Sequence, residues 1–287
     1  MLNFCNLYSG SSGNSLFVQS ENTKILVDCG VSCKKVEEAL KTIDIDSSSI
    51  DAILITHEHI DHIKGLSVFA SKYNVPVFAS SNTFDYMQNA TAKINENNLK
   101  TFKINDKFTI GDLEISPFAI PHDAVNPCGF NISNKSNKIS IATDIGHMTN
   151  SILKNLEGSS FVLLESNYDT SVLKCCSYPF SLKTRISGPN GHLSNEIASK
   201  TLSYLFKNGL KSAMLGHLSK ESNFPELAYQ TALDELIAND IDVNSISLGI
   251  AHRDYPGKLV SLEENYSSVM ISKVRVSDTL KKIWWYL

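Results

Sequence analysis

The sequence predicts an α/β domain of four layers, two packed sheets with helices on their outer faces, and three observations carry that expectation. Short apolar runs rich in Val, Ile and Phe recur along the chain, bounded by Gly, Asn, Asp or Ser. Stretches with helical apolar spacing alternate with them, and no low-complexity linker divides the 287 residues. Strands are expected near 14–18, 24–28, 51–56, 75–79, 113–120 and 138–143, then at 160–165, 211–215 and 245–251. Helices are expected over 34–42, 62–73, 193–208 and 225–239, where the apolar residues fall three and four apart among good helix formers. The first half connects its strands tightly and the second inserts longer helices, an order that suits an αββα sandwich. A single domain over 1–260 is the expectation. The tail 261–287, ending Trp284-Trp285-Tyr286-Leu287, fits the pattern least and reads as a docking strand, a helix or a partner contact.

Hydrophobic residues at 42% and charged residues at 20% exclude a disordered chain. The formal charge of −4 excludes a global cationic field, so any phosphate-binding surface has to be local. No basic stretch leads into an apolar core at Met1-Leu2-Asn3-Phe4-Cys5, and no apolar run approaches membrane-spanning length, so a cytoplasmic protein without membrane contact is expected. The six cysteines, at 5, 29, 33, 128, 175 and 176, form no C-x-x-C pair and read as reduced, partly buried thiols, with Cys175-Cys176 the one pair open to a redox reading.

The chemistry is concentrated after the strand that ends at Thr56, where three of the eight histidines fall in His57-Glu58-His59-Ile60-Asp61-His62. In an extended segment residues two apart point the same way, so His57 and His59 can converge on one cation. Asp61 and His62 follow where the chain turns toward the next helix, which aims them at a second position. Imidazole nitrogens and carboxylate oxygens are ligands for zinc, manganese or iron alike. The bland alternative, a solvated polar loop, does not account for this density of ligands directly behind a β-rich apolar run.

Thr56-His57-Glu58-His59-Ile60-Asp61-His62 resembles the T-H-x-H-x-D-H signature of metallo-β-lactamase-fold hydrolases. Leu26-Val27-Asp28-Cys29-Gly30 resembles that family's first motif, and Ala142-Thr143-Asp144-Ile145-Gly146 its fourth. The resemblance implies a centre of two divalent metal ions. His57, His59 and His122 would hold one, Asp61, His62 and His217 the other, and Asp144 would bridge them. His147 competes with His122 for the third place on the first ion. Such a centre lowers the pKa of a shared water to give a hydroxide nucleophile, with Asp61 at the catalytic position. A further resemblance, to ribonuclease Z-like phosphodiesterases, lies in Gly191-His192-Leu193-Ser194 and implies that His192 donates a proton to the leaving oxygen, oriented by Glu165. A satisfied surface histidine and a solvent-facing carboxylate are the bland readings of the same two residues.

Over about residues 4–260 the chain resembles the WalJ/YycJ-type group of single-domain proteins of this fold, regarded as DNA exonucleases acting from the 5′ end. Ser9-Gly10-Ser11-Ser12-Gly13-Asn14-Ser15, Pro121-His122-Asp123-Ala124, Glu165-Ser166-Asn167, Gly191-His192-Leu193-Ser194-Asn195 and Arg253-Asp254 carry that resemblance, with departures at Tyr168 and His252, where His and Pro are expected. Only the 26 residues 166–191 separate Glu165 from His192, too few for a β-CASP domain, and His59 stands where oxygen-reducing relatives carry Glu. Substrate contacts are expected from Ser11 and Asn14, whose loop reads either as an anion cradle or as a plain tight turn. Lys183 and Arg185 read either as a grip on the DNA backbone or as a solvated pair. The function this implies is a two-metal phosphodiesterase cutting DNA from the 5′ end. A small-molecule hydrolase of a cyclic phosphodiester, lactone or thioester, and a non-enzymatic metal-containing regulatory module, stand as alternatives, and oligomeric state is open.

Overall fold

The computed structural model describes residues 1–262 and contains two seven-stranded sheets packed face to face. The strands are β1 (Leu2–Tyr8), β2 (Ser15–Gln19), β3 (Lys24–Val27), β4 (Ala52–Leu54), β5 (Val77–Ser80), β6 (Leu99–Phe102), β7 (Phe108–Ile110), β8 (Leu113–Ala119), β9 (Cys128–Ser133), β10 (Lys138–Ala142), β11 (Phe161–Glu165), β12 (Ser212–Gly216), β13 (Ser247–Ile250) and β14 (Val260–Leu262). One sheet runs β14-β1-β2-β3-β4-β5-β6 and the other β13-β12-β11-β10-β9-β8-β7. In each sheet an antiparallel part gives way to a parallel one, β3 to β6 in the first and β10 to β13 in the second. The chain therefore delivers several strand C-termini to one edge of the sandwich.

Alternation along the strands sorts the apolar side chains into three cores. Ile25, Val27 and Leu54 point inward and meet Phe130, Ile139, Ile141, Phe161 and Leu163 between the sheets. The neighbours Leu26 and Ile53 point outward and are covered by the helices Cys33–Thr42 and Leu66–Tyr73. Val162, Leu164, Ala213 and Leu215 point outward from the second sheet under the helices Asn195–Lys207 and Pro225–Ala238. Helix starts carry the expected chemistry: the side chains of Ser32 and Ser194 accept hydrogen bonds from Lys35 N and Ile197 N, and Pro225 occupies the first turn of its helix.

The four-layer α/β architecture is as the sequence predicts. Its local departures have identifiable causes. The helix expected over 62–73 is two pieces, Ile60–Ile63 and Leu66–Tyr73. Gly65 separates them by donating to Cys29 O at 2.8 Å, and a Cβ there would stand 2.1 Å from Val31 O. Strands β1, β6, β7, β9 and β14 fall outside the expected ranges, and they are short or carry polar residues on buried positions, as Asn6 does in β1 and Asn131 in β9. The last of them pairs Leu262 with Leu2, so the first two residues of the expected tail belong to the first sheet. The rest of that tail, with Trp284 to Leu287, lies outside the described residues. No helix among the described residues is long and apolar enough to cross a membrane. All six cysteines are unpaired, and burial pushes the Cys5 thiol up to about 12.

Phe161 is fully buried between the sheets, its ring centroid 4.7 Å from that of Phe4. Phe161→Ala is expected to cost about 3–5 kcal/mol through lost burial and the cavity left behind, measured as a shift in the urea midpoint at unchanged slope.

Candidate metal centre

The centre forms where the C-terminal ends of β3, β4, β8, β10, β11 and β12 meet at the seam between the sheets. Beyond β4 the chain stays extended, and His57 Nε2 comes within 3.1 Å of His59 Nδ1. The loop after β8 brings His122, with ring centroids 5.1 Å from both His57 and His59. The nitrogens of these three side chains lie within 4.8 Å of one another. A second group of the same compactness joins Asp61, His62 and His217. Asp144 stands between the groups: Oδ1 is 3.8 Å from His122 Nε2 and 3.4 Å from His217 Nε2, and Oδ2 is 3.3 Å from His62 Nε2.

Around these side chains the structure places hydrogen bonds that fix each ring. Asp28 accepts from Thr56 N at 2.9 Å and from Thr56 Oγ1 at 2.8 Å, and its Oδ2 lies 2.7 Å from His62 Nδ1. Gly191 O is 3.0 Å from His122 Nδ1, and Glu165 Oε1 is 2.8 Å from His217 Nδ1. With each Nδ1 occupied in this way, the Nε2 atoms of His62, His122 and His217 are left facing inward. Gly30 lies under the loop, where a Cβ would meet Asp61 O at 1.6 Å, so only glycine lets the loop sit this low.

Glu165 is fully buried and both of its oxygens are satisfied. Oε2 accepts from Ile145 N at 2.7 Å and Leu193 N at 3.0 Å, while Oε1 lies between His217 Nδ1 and His192 Nδ1, the latter at 2.9 Å. This carboxylate therefore orients two histidines, and its saturated oxygens leave it no role as a ligand of its own. The contact to His192 is the one that the resemblance implies. The contact to His217 joins residues 52 apart in sequence and had no signal there.

The electrostatics single out a site that fits cations. Burial opposes the charged form of His62, but Asp28, Asp144 and Asp61 outweigh it and raise its pKa to about 9. His217 is likewise raised against burial, by Asp144, Asp61 and Glu165. Burial and the neighbouring imidazoles both push His57 well below its ordinary value. Asp144 resists the upward push of burial because His217, His62 and His122 surround it. Asp144 Oδ2 and His217 Nε2 are buried without a hydrogen-bond partner, and orphaned donors and acceptors of this kind, in a set of imidazoles and carboxylates, fit a divalent metal.

The remaining expected site residues fall in different places. Asn14 is buried, its amide nitrogen 3.0 Å from His62 Nε2 and 3.4 Å from Asp61 Oδ2, so it faces the metal loop. The backbone N–H groups of Gly10, Gly13 and Asn14 are taken by Asn14 Oδ1, Gly10 O and Asp61 O, which favours the tight turn over an anion cradle. Ser11 is exposed on that turn. Arg185 forms a forked ion pair with Asp123, 2.5 and 3.1 Å, beside His122. Lys183 donates to Lys174 O at 2.7 Å and is not gathered with the centre. His147 is exposed, with Nδ1 2.8 Å from Pro189 O, and lies outside the histidine groups.

The model of the β-lactamase superfamily domain matches residues 23–217. The chain is 37% identical over 239 residues to the exodeoxyribonuclease WalJ of Streptococcus pneumoniae serotype 2, covering 83% of this chain and 89% of that protein. It is 37% identical over 227 residues to the exodeoxyribonuclease YycJ of Bacillus anthracis, covering 79% and 86%. Among solved structures, the metallo-β-lactamase-fold protein YhfI of Bacillus subtilis superposes with a TM-score of 0.67 at 15% identity, over 89% of this chain and 99% of the other. The Zn(2+)-bound PqqB of Methylobacterium extorquens does so with 0.68 at 13%, over 91% and 100%. At these identities the two structures speak to the fold alone.

Two outcomes follow for the cation. Asp28→Asn, which weakens the brace on Thr56 and His62, is expected to lower zinc affinity about 10- to 100-fold, read by competition with a chromophoric chelator. His62 in the cation-free centre holds a proton up to about pH 9, so metal and proton compete. Affinity is expected to rise with pH through about 9 as His62 and the likewise raised His217 give up protons, by about tenfold per pH unit for each proton displaced. Calorimetry in buffers of different ionisation enthalpy counts those protons, and a pH-independent affinity would contradict the arrangement.

Proposed function

This chain belongs to the β-lactamase superfamily, in the group that holds the WalJ and YycJ exodeoxyribonucleases, and on that premise we propose that it is a metal-dependent phosphodiesterase removing nucleotides from a DNA end, 5′ to 3′. The residues that would hold one divalent cation are His57, His59 and His122, and those for a second are Asp61, His62 and His217, with Asp144 in reach of both; zinc and manganese suit the set, and iron is compatible. When bound, such cations activate a water for attack on phosphorus and neutralise charge on the phosphoryl oxygens.

The observation that carries the reading is His192. It belongs to neither histidine group, yet its ring centroid lies 5.2 Å from that of His122 and 5.3 Å from that of His217. Its Nδ1 lies 2.9 Å from the buried Glu165 carboxylate, which fixes the orientation of the ring. With Nδ1 engaged in this way, Nε2 is the ring atom from which a proton would pass to the departing oxygen of a phosphodiester, whose alkoxide is a poor leaving group without it. His192 also forms a compact set with Asp144, Glu165 and His217, but its Nδ1 and both Glu165 oxygens are taken up by hydrogen bonds, which favours a proton-handling role over a ligand one.

Substrate contacts extend the reading. Arg185 lies exposed beside His122, and a phosphate would compete with Asp123 for its guanidinium, which offers the fork that phosphate oxygens match. Lys183 stands further along the same helix, and Ser11 remains a solvent-facing candidate at the opposite turn. Asn14 supports the geometry of Asp61 and His62 and through them the metal site. Hydrolysis of a small phosphodiester on the same centre is the alternative that the net charge of −4 favours.

His59→Ala and Asp61→Ala are expected to abolish release of nucleotides from end-labelled DNA. His192→Ala is expected to keep its metal content and lose about 10²–10⁴-fold in turnover of DNA, with a far smaller loss on a p-nitrophenyl phosphodiester, whose leaving group needs no proton. An equal loss on both substrates would remove His192 from the proton-donating role. Comparing 5′- and 3′-labelled strands tests the direction of digestion.

A further inference from the structure

The chain between Glu165 and His192 builds a surface that the metal centre does not use. Two short helices, Thr170–Cys175 and Phe180–Ile186, pack over Tyr168, Leu173 and Ile186 as a small satellite core. On the outer side of the second helix, Phe180, Lys183 and Thr184 share one face by their spacing. Together with Tyr168, Leu173 and Lys174 they line a cavity of about 440 Å³. That volume lies within the range of small-ligand sites.

Three features of the cavity point to one kind of occupant. Phe180 is 85% exposed, more than any other large apolar side chain among the described residues, and leaves a flat aromatic face to solvent at the rim. The charged residues lining the cavity are Lys174 and Lys183, and none is acidic. Lys183 is held by its bond to Lys174 O, so one ammonium has a fixed place and keeps donors for an anion. A planar face flanked by ammonium groups is the chemistry that holds a nucleobase and its neighbouring phosphate, with stacking that tolerates any base. The cavity is also tied to the centre. Tyr168 follows Asn167, whose amide donates to His217 O at 2.8 Å, and His192 N donates to Ile186 O at the end of the helix that carries Phe180.

We propose that this cavity is a nucleobase subsite, in which one base of a single-stranded DNA end stacks on Phe180 while Lys174 and Lys183 meet the adjoining phosphate. The inference rests on the nuclease reading and adds the place where the strand is held outside the cut. It implies that the end is held as a frayed or unpaired base, because in an intact duplex only the outer face of the terminal pair is free and its phosphate cannot follow the base into the cavity.

The test compares the full chain with Phe180→Ala and Phe180→Trp, using a single-stranded oligonucleotide that carries 2-aminopurine near its 5′ end. Each is placed on the His192→Ala background to slow cutting during the binding measurement. Phe180→Ala is expected to raise the Kd about tenfold and to remove the stacking-induced quench of 2-aminopurine, and Phe180→Trp to restore both. In otherwise unaltered protein, Phe180→Ala should raise KM for single-stranded DNA and leave turnover of a p-nitrophenyl phosphodiester unchanged, since that reporter does not reach the cavity. Binding within twofold of the parent with the quench retained would overturn the subsite and leave the nuclease reading standing. A parent protein that hydrolyses the small reporter but neither binds nor cuts DNA would overturn both.

Discussion

Three carboxylates, those of Asp28, Asp144 and Glu165, are buried at the seam between the two sheets, and the site is organised by how each is compensated. An ionised carboxylate removed from water costs several kcal/mol unless hydrogen bonds or opposite charge replace its hydration. Asp28 is compensated by the backbone and hydroxyl of Thr56 and by His62, and Glu165 by two backbone N–H groups and two imidazoles. Asp144 differs, because one of its oxygens has no hydrogen bond at all and its neighbours are imidazole nitrogens. Asp28 and Glu165 hold other residues in place, whereas Asp144 keeps an oxygen that fits a cation. Their burial is equal, so the division comes from their partners alone.

The backbone shows the same economy of construction. Asp28, Asp144 and His217 each follow the end of a strand and each adopts a left-handed conformation, with φ of 62°, 60° and 55°. Such geometry is unfavourable for a residue with a Cβ and persists only where surrounding bonds enforce it. Those bonds are present: Asp28 N donates to Leu54 O, Gly146 N to Pro121 O, and His217 N to Ser9 Oγ at 2.8 Å. Each turn bends the side chain out of the sheet direction and toward the seam, where Asp28 meets Thr56 and His62 from its own sheet, and Asp144 meets His62 from the first sheet beside His122 and His217 from its own. The site therefore depends on both sheets keeping their register, and the interior packing of residues such as Phe161 and Ile141 is part of what places the ligands.

How much of this was legible follows from the distance along the chain over which each relation acts. The run from His57 to His62 was readable because its residues are contiguous and follow a strand. His122, Asp144 and His217 each sit at the end of an apolar run, but only a resemblance to known motifs singled them out. The preference for His122 over His147 comes from the motif resemblance and from the place of His147 three residues after Asp144, and the structure sets His147 outside the histidine groups, with Nδ1 2.8 Å from Pro189 O. Asn14 read as a substrate contact because a loop of Ser, Gly and Asn suggests an anion site, whereas its amide turns inward to the metal loop. The helices Thr170–Cys175 and Phe180–Ile186 were missed because neither is long enough to show a helical period, and the cavity between them was therefore invisible as well.

The acidic balance of the chain bears on how a polyanion could approach such a centre. With a formal charge of −4, and with the carboxylates of Asp28, Asp61, Asp144 and Glu165 outnumbering the raised imidazoles of His62 and His217, the cation-free centre has no excess of positive charge to draw in phosphate. Divalent cations in the two ligand groups would reverse the local sign without changing any surface residue, because bound cations are then the largest charges in the site. The lysines and arginine on 174–185 act at a different range, since they are solvent-facing and screened within about 10 Å at ordinary salt. Metal occupancy would therefore govern whether DNA is attracted to the cleft at all, and the basic segment would govern where along the strand it is held. Substrate affinity and metal affinity are then thermodynamically linked, each strengthening the other by the same factor.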